Sequence, residues 1–313
     1  MAEAVEIEEF RVPVAGGSLT AYRFGGRGRP SVIAAHGITG SSRAWLPVAR
    51  ALGDRATVIA LDLRGRGASH ALPAPYGPAA HVADIVAVLD HLQLRRALLA
   101  GHSLGAYIVA GVTAAHPERV TSALLVDGGL RIPGSEGVDP HEFAEAFLGP
   151  ALARLQMRFR DREAYREWWR AHPAFAGGQV EDGDLVAYAD HDLRGTEPDL
   201  RPAANPDAVR VDAGELGQLG NAANRLSVPA RLLCAPRGLL NDANPMQPIE
   251  LVERWAAENP ELRQPTLVPD VNHYTITLAP TGAAAVADAI ATAIRSPVGA
   301  VAGGSPAPAA RAE

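Results

Sequence analysis

The sequence predicts an α/β protein: a mostly parallel eight-stranded sheet flanked by helices, with a mainly helical cap inserted after the sixth strand. Three observations carry this. Short β-type runs alternate with helical patterns from Val5 to about Glu118. Two of those runs, Val32-Ile33-Ala34-Ala35 and Ala97-Leu98-Leu99-Ala100, are apolar without alternation, as strands covered on both faces are. The strand pattern then stops between about Leu130 and Arg225 and resumes at Pro229.

Taken in order, the first six strands are expected at Ile7 to Val12, Leu19 to Phe24, Ser31 to Ala35, Thr57 to Leu61, Ala97 to Ala100 and Ser122 to Val126. Gly25-Gly26-Arg27-Gly28 precedes a strand, the wrong context for a dinucleotide-binding turn, and reads as a hairpin-type connection. Pro78 to Leu92 places Val82, Ile85, Val86 and Leu89 at three- and four-residue spacing, a helical stripe that would pack on the sheet. Residues 130–225 are rich in Arg and Glu, carry Trp168 and Trp169 and hold no buried-strand run, so they read as the helical insertion. Strands resume at Pro229 to Ala235 and Pro265 to Val268, with helices near Pro248 to Glu258 and from Pro280 to Arg295. The core is thus expected at 1–129 and 226–295, the cap at 130–225. The Ala, Gly, Pro and Ser tail at 296–313 is expected to be disordered.

Composition removes whole classes of function. The chain has 313 residues, 47% of them hydrophobic and 20% charged, which suits a globular core. A net charge of -6 with no basic block argues against nucleic acid and anionic membrane as partners and leaves a small-molecule substrate. All 29 basic residues are arginine; without lysine there is no Schiff base and no phosphate-loop lysine. Cys234 is the single cysteine, so no internal disulfide or multi-cysteine metal site can form. His141-Glu142-Phe143-Ala144-Glu145 has glutamate where a zinc-protease helix needs its second histidine, and no metal is expected. The first ten residues lack the basic patch and apolar stretch of a secretory signal, and no window approaches about 18 apolar residues, so the protein is expected to be soluble and cytoplasmic. Oligomeric state is not legible.

The strongest chemical signal is Gly101-His102-Ser103-Leu104-Gly105, a G-x-S-x-G segment placed directly after an apolar strand and before the helical pattern Ala106 to Ala115. A serine on so sharp a strand-to-helix turn is held in a strained conformation that exposes its hydroxyl, and the following helix presents free N–H groups to developing negative charge.

With this segment the chain resembles the α/β-hydrolase fold family over about residues 5 to 295, the insertion lying where that family has its cap. His36-Gly37-Ile38-Thr39-Gly40 matches the loop after the third strand. The resemblance implies an oxyanion hole made by the backbone N–H groups of Ile38 and Leu104. Asp62-Leu63-Arg64-Gly65-Arg66-Gly67-Ala68-Ser69 resembles a segment that is mostly structural in the family. His273 occupies the position of the general base, after the last strand and before the final helix. Two residues compete for the triad acid. Asp242, after the seventh strand, fits the order serine, acid, histidine but follows an inserted Arg-Gly-Leu-Leu; Asp127 ends the sixth strand, from which some members supply the acid. Asp242 is slightly favoured. Trp168, Trp169 and Phe147 are candidates for the substrate cavity, while Asp190 and His191 read as surface residues.

The resemblance and these residues imply a serine hydrolase that cleaves an ester or lactone of a medium-sized organic substrate through an acyl-enzyme and needs no cofactor. A carbon-carbon bond hydrolase, a thioesterase or a perhydrolase would carry the same core residues, and a ligand-binding receptor with a residual triad is the rival from another class.

Overall fold

The computed structural model describes residues 5–132, 137–260 and 263–295; the expected disordered tail at 296–313 lies outside the described residues. Eight strands form one sheet: β1 (Ile7–Val14), β2 (Gly17–Phe24), β3 (Ser31–Ala35), β4 (Thr57–Leu61), β5 (Ala97–His102), β6 (Val120–Val126), β9 (Ala230–Cys234) and β10 (Arg263–Leu267). Their order is β1-β2-β4-β3-β5-β6-β9-β10. Only β2 runs against its neighbours, pairing antiparallel with β1 and β4, while the remaining pairs are parallel. The segment Gly25 to Gly28 is therefore no hairpin: β4 lies between β2 and β3, so the glycines carry the chain across a strand. The two strands read as apolar runs, β3 and β5, are buried almost throughout, as is β4, whereas the edge strand β1 alternates.

Helices cover both faces. Leu46–Leu52 (α1) and Pro280–Arg295 (α10) pack against each other, and with Val32, Val58, Leu98 and Leu124 build one buried layer. Pro78–His91 (α2), Leu104–Ala115 (α3) and Ile249–Ala257 (α8) cover the other face, over Ile33, Ile59, Leu99 and Leu125. Alternate residues of one strand thus serve opposite layers, as the pleat requires. Thr275–Leu278 (α9) leads into α10.

Between β6 and β9 lie Pro140–Leu155 (α4), Arg162–Ala171 (α5), Asp182–His191 (α6), Pro206–Leu219 (α7) and a two-stranded ribbon, β7 (Leu193–Arg194) with β8 (Arg201–Pro202). In the insertion Phe159, Tyr165, Trp169, Phe175, Leu185 and Tyr188 are buried together, in one cluster with Ala44 and Leu278 of the sheet domain. Asp161 caps α5 by accepting from the Ala164 N–H, and Asn205 caps α7 from the Asp207 N–H. Among the described residues no helix is long and apolar enough to cross a membrane.

Candidate active site

Parallel pairing aligns the carboxyl ends of β3, β5, β6 and β9, the edge of an α/β sheet where ligands usually bind. Ser103 stands at this edge, between β5 and α3, with φ 53° and ψ −120°. A non-glycine residue pays for such a conformation with strain, and its neighbours show what enforces it. A Cβ on Gly101 would run into the Gly105 carbonyl, and one on Gly105 into the Ala35 carbonyl. Strand, helix and the loop after β3 therefore approach as closely as backbones can. The Ser103 N–H donates to the Val126 carbonyl at 2.9 Å, which ties the turn to β6.

His273 follows β10 on a loop organised by Asn272. The Asn272 side-chain oxygen accepts from the N–H groups of Tyr274 and Thr275, and its amide donates to the Ala174 carbonyl of the insertion at 2.9 Å. His273 is buried, and its Nδ1 lies 2.6 Å from Oδ2 of Asp127. A carboxylate there can only accept, so Nδ1 carries the proton and Nε2 keeps its lone pair. The other Asp127 oxygen accepts from the Ala235 N–H at 3.0 Å, and the Asp127 N–H donates to the Leu233 carbonyl at 2.7 Å. Asp127 is thus wedged between β6 and β9, with φ 47°.

The preference for Asp242 as the partner of His273 is reversed by this geometry. Asp242 sits on the exposed loop after β9, where its carboxylate accepts from the N–H groups of Leu240 and Asn244. Those bonds, the Asn244 one foremost, hold its pKa below the ordinary carboxylate value. The inserted Arg-Gly-Leu-Leu lengthens this loop into a turn that consumes the carboxylate locally. A sequence signal for Asp127 did exist, in the glycine after it: a Cβ on Gly128 would lie 2.6 Å from the Ser103 carbonyl oxygen. Only glycine lets the two turns touch.

The loop after β3 is held by His36. The Leu63 N–H donates to His36 Nε2 at 3.1 Å, so Nδ1 carries the proton and donates to the Gly37 carbonyl at 2.7 Å. Burial keeps the ring neutral by lowering its pKa to about 4. Since carbonyl and N–H of a trans peptide point in opposite directions, the anchored Gly37 carbonyl turns the Ile38 N–H the other way. Leu104, at the first turn of α3, has its N–H among those without a partner inside the helix. His102 contributes a further contact to which no sequence pattern points: its ring lies 4.7 Å from that of His273 and its Nε2 donates to the His273 carbonyl at 2.8 Å.

Ser103, His273, Ile38 and His102 line one narrow cleft together with Gly37, Thr39 and Tyr274. Leu148, Ala151, Leu239, Met246 and Tyr274 line both this cleft and a cavity of about 570 Å³ beside it. Trp168, Trp169 and Arg154 also line the larger cavity, and Asp242 does too. Phe147 belongs to α4, but its side chain lies outside the described residues. Trp169 is buried and packs edge-on against Trp168, with ring centres 4.9 Å apart.

Asp62 accepts from the Ser42 and Ala68 N–H groups, and its Oδ2 lies 2.7 Å from His191 Nε2. Burial raises its pKa, but hydrogen bonds, the His191 one foremost and the Ser42 N–H after it, outweigh that and bring it to about 2. His191 is therefore not the surface residue expected: it joins the end of α6 to the loop after β4. Asp190, half-buried, pairs with Arg166. Cys234 is free and buried, its thiol pushed up to about 12 by burial and the Asp127 charge, which makes it inert.

A family model for the alpha/beta hydrolase fold matches residues 30–167. A Pseudomonas putida protein, the dihydrolipoyllysine-residue acetyltransferase component of an acetoin cleaving system, is 31% identical over 222 residues, 64% of this chain and 58% of that protein. Lipase LipV of Mycobacterium tuberculosis is 32% identical over 137 residues, 43% of this chain and 52% of the lipase. The chain spans less than two thirds of the length of either relative. Among solved structures, the crystal structure of E-2-(acetamidomethylene)succinate hydrolase matches with a TM-score of 0.74 at 23% identity, over 93% of this chain and 100% of that chain. A likeness at that identity speaks for the fold alone.

Proposed function

Because the chain belongs to the α/β-hydrolase fold family, we propose that it is a serine hydrolase in which Ser103 attacks the carbonyl carbon of an ester or lactone. His273 Nε2 takes the Ser103 proton as the new C–O bond forms, and returns it to the leaving alcohol as the old bond breaks. Water then attacks the acyl-enzyme by the same route, giving the carboxylic acid and free Ser103. Atoms balance with water as the only co-substrate. Asp127 is the acid that keeps the Nδ1–H tautomer and stabilises the imidazolium. The Ile38 and Leu104 N–H groups receive the oxyanion, each donor contributing about 3 kcal/mol in comparable sites. The carrying observation is the 2.6 Å contact of His273 with a buried carboxylate, on a ring that shares a cleft with the strained Ser103.

Residues 130–225 act as a cap that shapes the substrate cavity. Its volume of about 570 Å³ suits a medium-sized organic group, with apolar contact from Leu148, Trp168 and Leu239. A panel of p-nitrophenyl esters, lactones and acyl thioesters, read beside labelling by a fluorophosphonate probe, tests the reading. Turnover and labelling are expected in the unaltered protein and not in Ser103→Ala. Labelling that persists in Ser103→Ala would put the nucleophile elsewhere.

A further inference from the structure

A backbone N–H stabilises a transition state only if it is aimed before charge develops. The Ile38 N–H lies on a loop, where aim must come from the surroundings, and the segment after β4 grips the peptides on both sides of Ile38. His36, braced by the Leu63 N–H, holds the peptide that carries the Ile38 N–H through its Gly37 carbonyl. Arg66 holds the following one, its Nε donating to the Ile38 carbonyl at 2.9 Å. Arg66 is fully buried; its Nη1 donates to the Arg64 carbonyl at 2.9 Å, and its Nη2 lies 2.5 Å from Oδ2 of Asp212. That last contact is an ion pair whose angle falls short of a hydrogen bond.

Asp212 belongs to α7 of the insertion and is itself wholly buried. It accepts from the Gly77 N–H at 2.8 Å and faces His81 Nε2. Two residues away from Arg66, Arg64 offers a contrast. Its donors go to Asp84 and to the carbonyls of Ala15, Pro73 and Pro75, none of them on the loop after β3. A buried ion pair is weak evidence of stabilisation, because desolvation offsets most of the attraction. The Arg66 pair is set apart by where it ends, on the carbonyl next to the Ile38 N–H.

We propose that Arg66 and Asp212 are positioning residues: Asp212, brought by the inserted segment, holds Arg66, and Arg66, by fixing the Ile38 carbonyl, limits rotation about Ile38 and so keeps its N–H in the orientation the oxyanion needs. The inference rests on the oxyanion role of Ile38 in the proposed hydrolase and extends it. Docking of α7 becomes part of the chemical step, so the insertion does more than choose substrates.

The double variant Arg66→Met/Asp212→Leu tests this, since removing both charges together avoids leaving one buried and unpaired. Its melting temperature, its kcat and KM for p-nitrophenyl acetate and its inhibition by a trifluoromethyl ketone, which forms a tetrahedral adduct, are compared with the unaltered protein. The expected result is a folded protein whose kcat falls by about 10- to 100-fold, with KM within about threefold and the inhibition constant rising in parallel with the loss of kcat. A purely structural pair would leave kcat and inhibition within about twofold once the fold is kept, and that result overturns the inference. If the double variant does not fold, Asp212→Asn decides in its place, because its side-chain oxygen can still accept the Gly77 N–H. There too an unchanged kcat overturns the inference and a reduced kcat at constant KM supports it. Absence of Ser103-dependent turnover in the unaltered protein would overturn the hydrolase reading and this inference with it; turnover with an unaffected double variant overturns this inference alone.

Discussion

The sheet core and the inserted segment share apolar burial but differ in what is added to it. In the core, Val32, Val58, Leu98 and Leu124 on one face and Ile33, Ile59, Leu99 and Leu125 on the other are joined by apolar burial, which is non-directional and tolerant. The insertion joins that burial through Leu148, Leu152, Val209, Ala213 and Leu216, and adds a set of charged contacts to the core. Asp212 pairs with Arg66, Asp184 with Arg50, His191 with Asp62, and Arg154 of α4 donates to the Thr39 carbonyl. Such contacts demand geometry, and losing one partner costs far more than the pair contributes. The core is thus robust to small changes in side-chain shape, while the insertion depends on pairs that must match. Both regions converge on the end of β3 and the loop after it, which take the Gly105–Ala35 contact from the core and the Arg154 bond from the insertion.

The largest effect should separate the two aspartates that the sequence left in competition, one at a core strand end and one on the cavity loop. Asp127→Asn keeps the shape of the side chain but favours the wrong His273 tautomer, and kcat should fall by roughly 10⁴-fold, as in a comparable triad. Asp242→Asn removes a charge already spent on a local turn, and the loss should stay under about tenfold, on the order of 1.4 kcal/mol. Steady-state rates on one activated ester decide; equal losses would dissolve the distinction between the two sites.

That contest marks where the sequence stops being informative. Non-alternating runs such as Val32 to Ala35 have one physical explanation, burial on both faces, so the eight strands and the elbow around Ser103 could be placed from pattern alone. His273 could be placed by resemblance because it follows a strand that could be placed. The acid depended on loop length and on a close approach, Gly128 against Ser103, that joins residues far apart in sequence. His191 was misread as a surface residue for the same reason: its partner Asp62 is 129 positions away. Buried polar pairs carry no periodicity, so a segment docked by them looks like an exposed one.

Within the insertion, Arg154 gives the next effect. It is buried with Asp192, whose Oδ2 lies 2.5 Å from Arg154 Nη1 and accepts from the Tyr165 hydroxyl as well. Arg154→Met strands the Asp192 carboxylate and should cost about 3 to 5 kcal/mol in urea unfolding. Arg154→Met/Asp192→Leu should recover most of that loss. If the double variant is as unstable as the single, the pair matters for packing and the contrast between the two regions weakens.

Acid should weaken the fold through its buried neutral histidines: burial lowers His36 and His172 to about 4 and His102 well below its ordinary value. Burial lowers the His36 pKa from 6.5 to about 4, so between those values the unfolded chain binds a proton that the folded chain refuses. Stability therefore falls as pH drops through that window, by about 3 kcal/mol if His36 titrates alone. Asp62 and Asp212, both held at about 2, begin to add to the loss only below their ordinary value of 3.8. Urea midpoints from pH 7 to 4.5 should show the decline, and His36→Gln, which has no titrating ring, should make it shallower by the His36 share while His102 and His172 keep the rest. An equally steep slope in His36→Gln would assign the effect to other groups.

The smallest effect belongs to the cavity wall, where the proposed cap role of the insertion is tested. Trp168 is half-buried, lines the large cavity and lies near-parallel to Tyr165, with ring centres 6.3 Å apart; Trp169 and His172 are its other ring neighbours, and the Arg154 guanidinium lies 5.9 Å from its ring centre. Trp168→Ala removes flat apolar surface from the wall while leaving the Arg66 and Arg154 bonds to the Ile38 and Thr39 carbonyls in place. The ratio of kcat/KM for a bulky aromatic ester to that for an acetate should fall by about tenfold, the 1 to 3 kcal/mol expected when a hydrophobic pocket loses part of its contact. A uniform fall for both esters would instead mean that Trp168 supports the chemical step. Selection and positioning would then not be separable within the insertion, and the assignment of positioning to the Arg66 and Asp212 pair would lose its contrast.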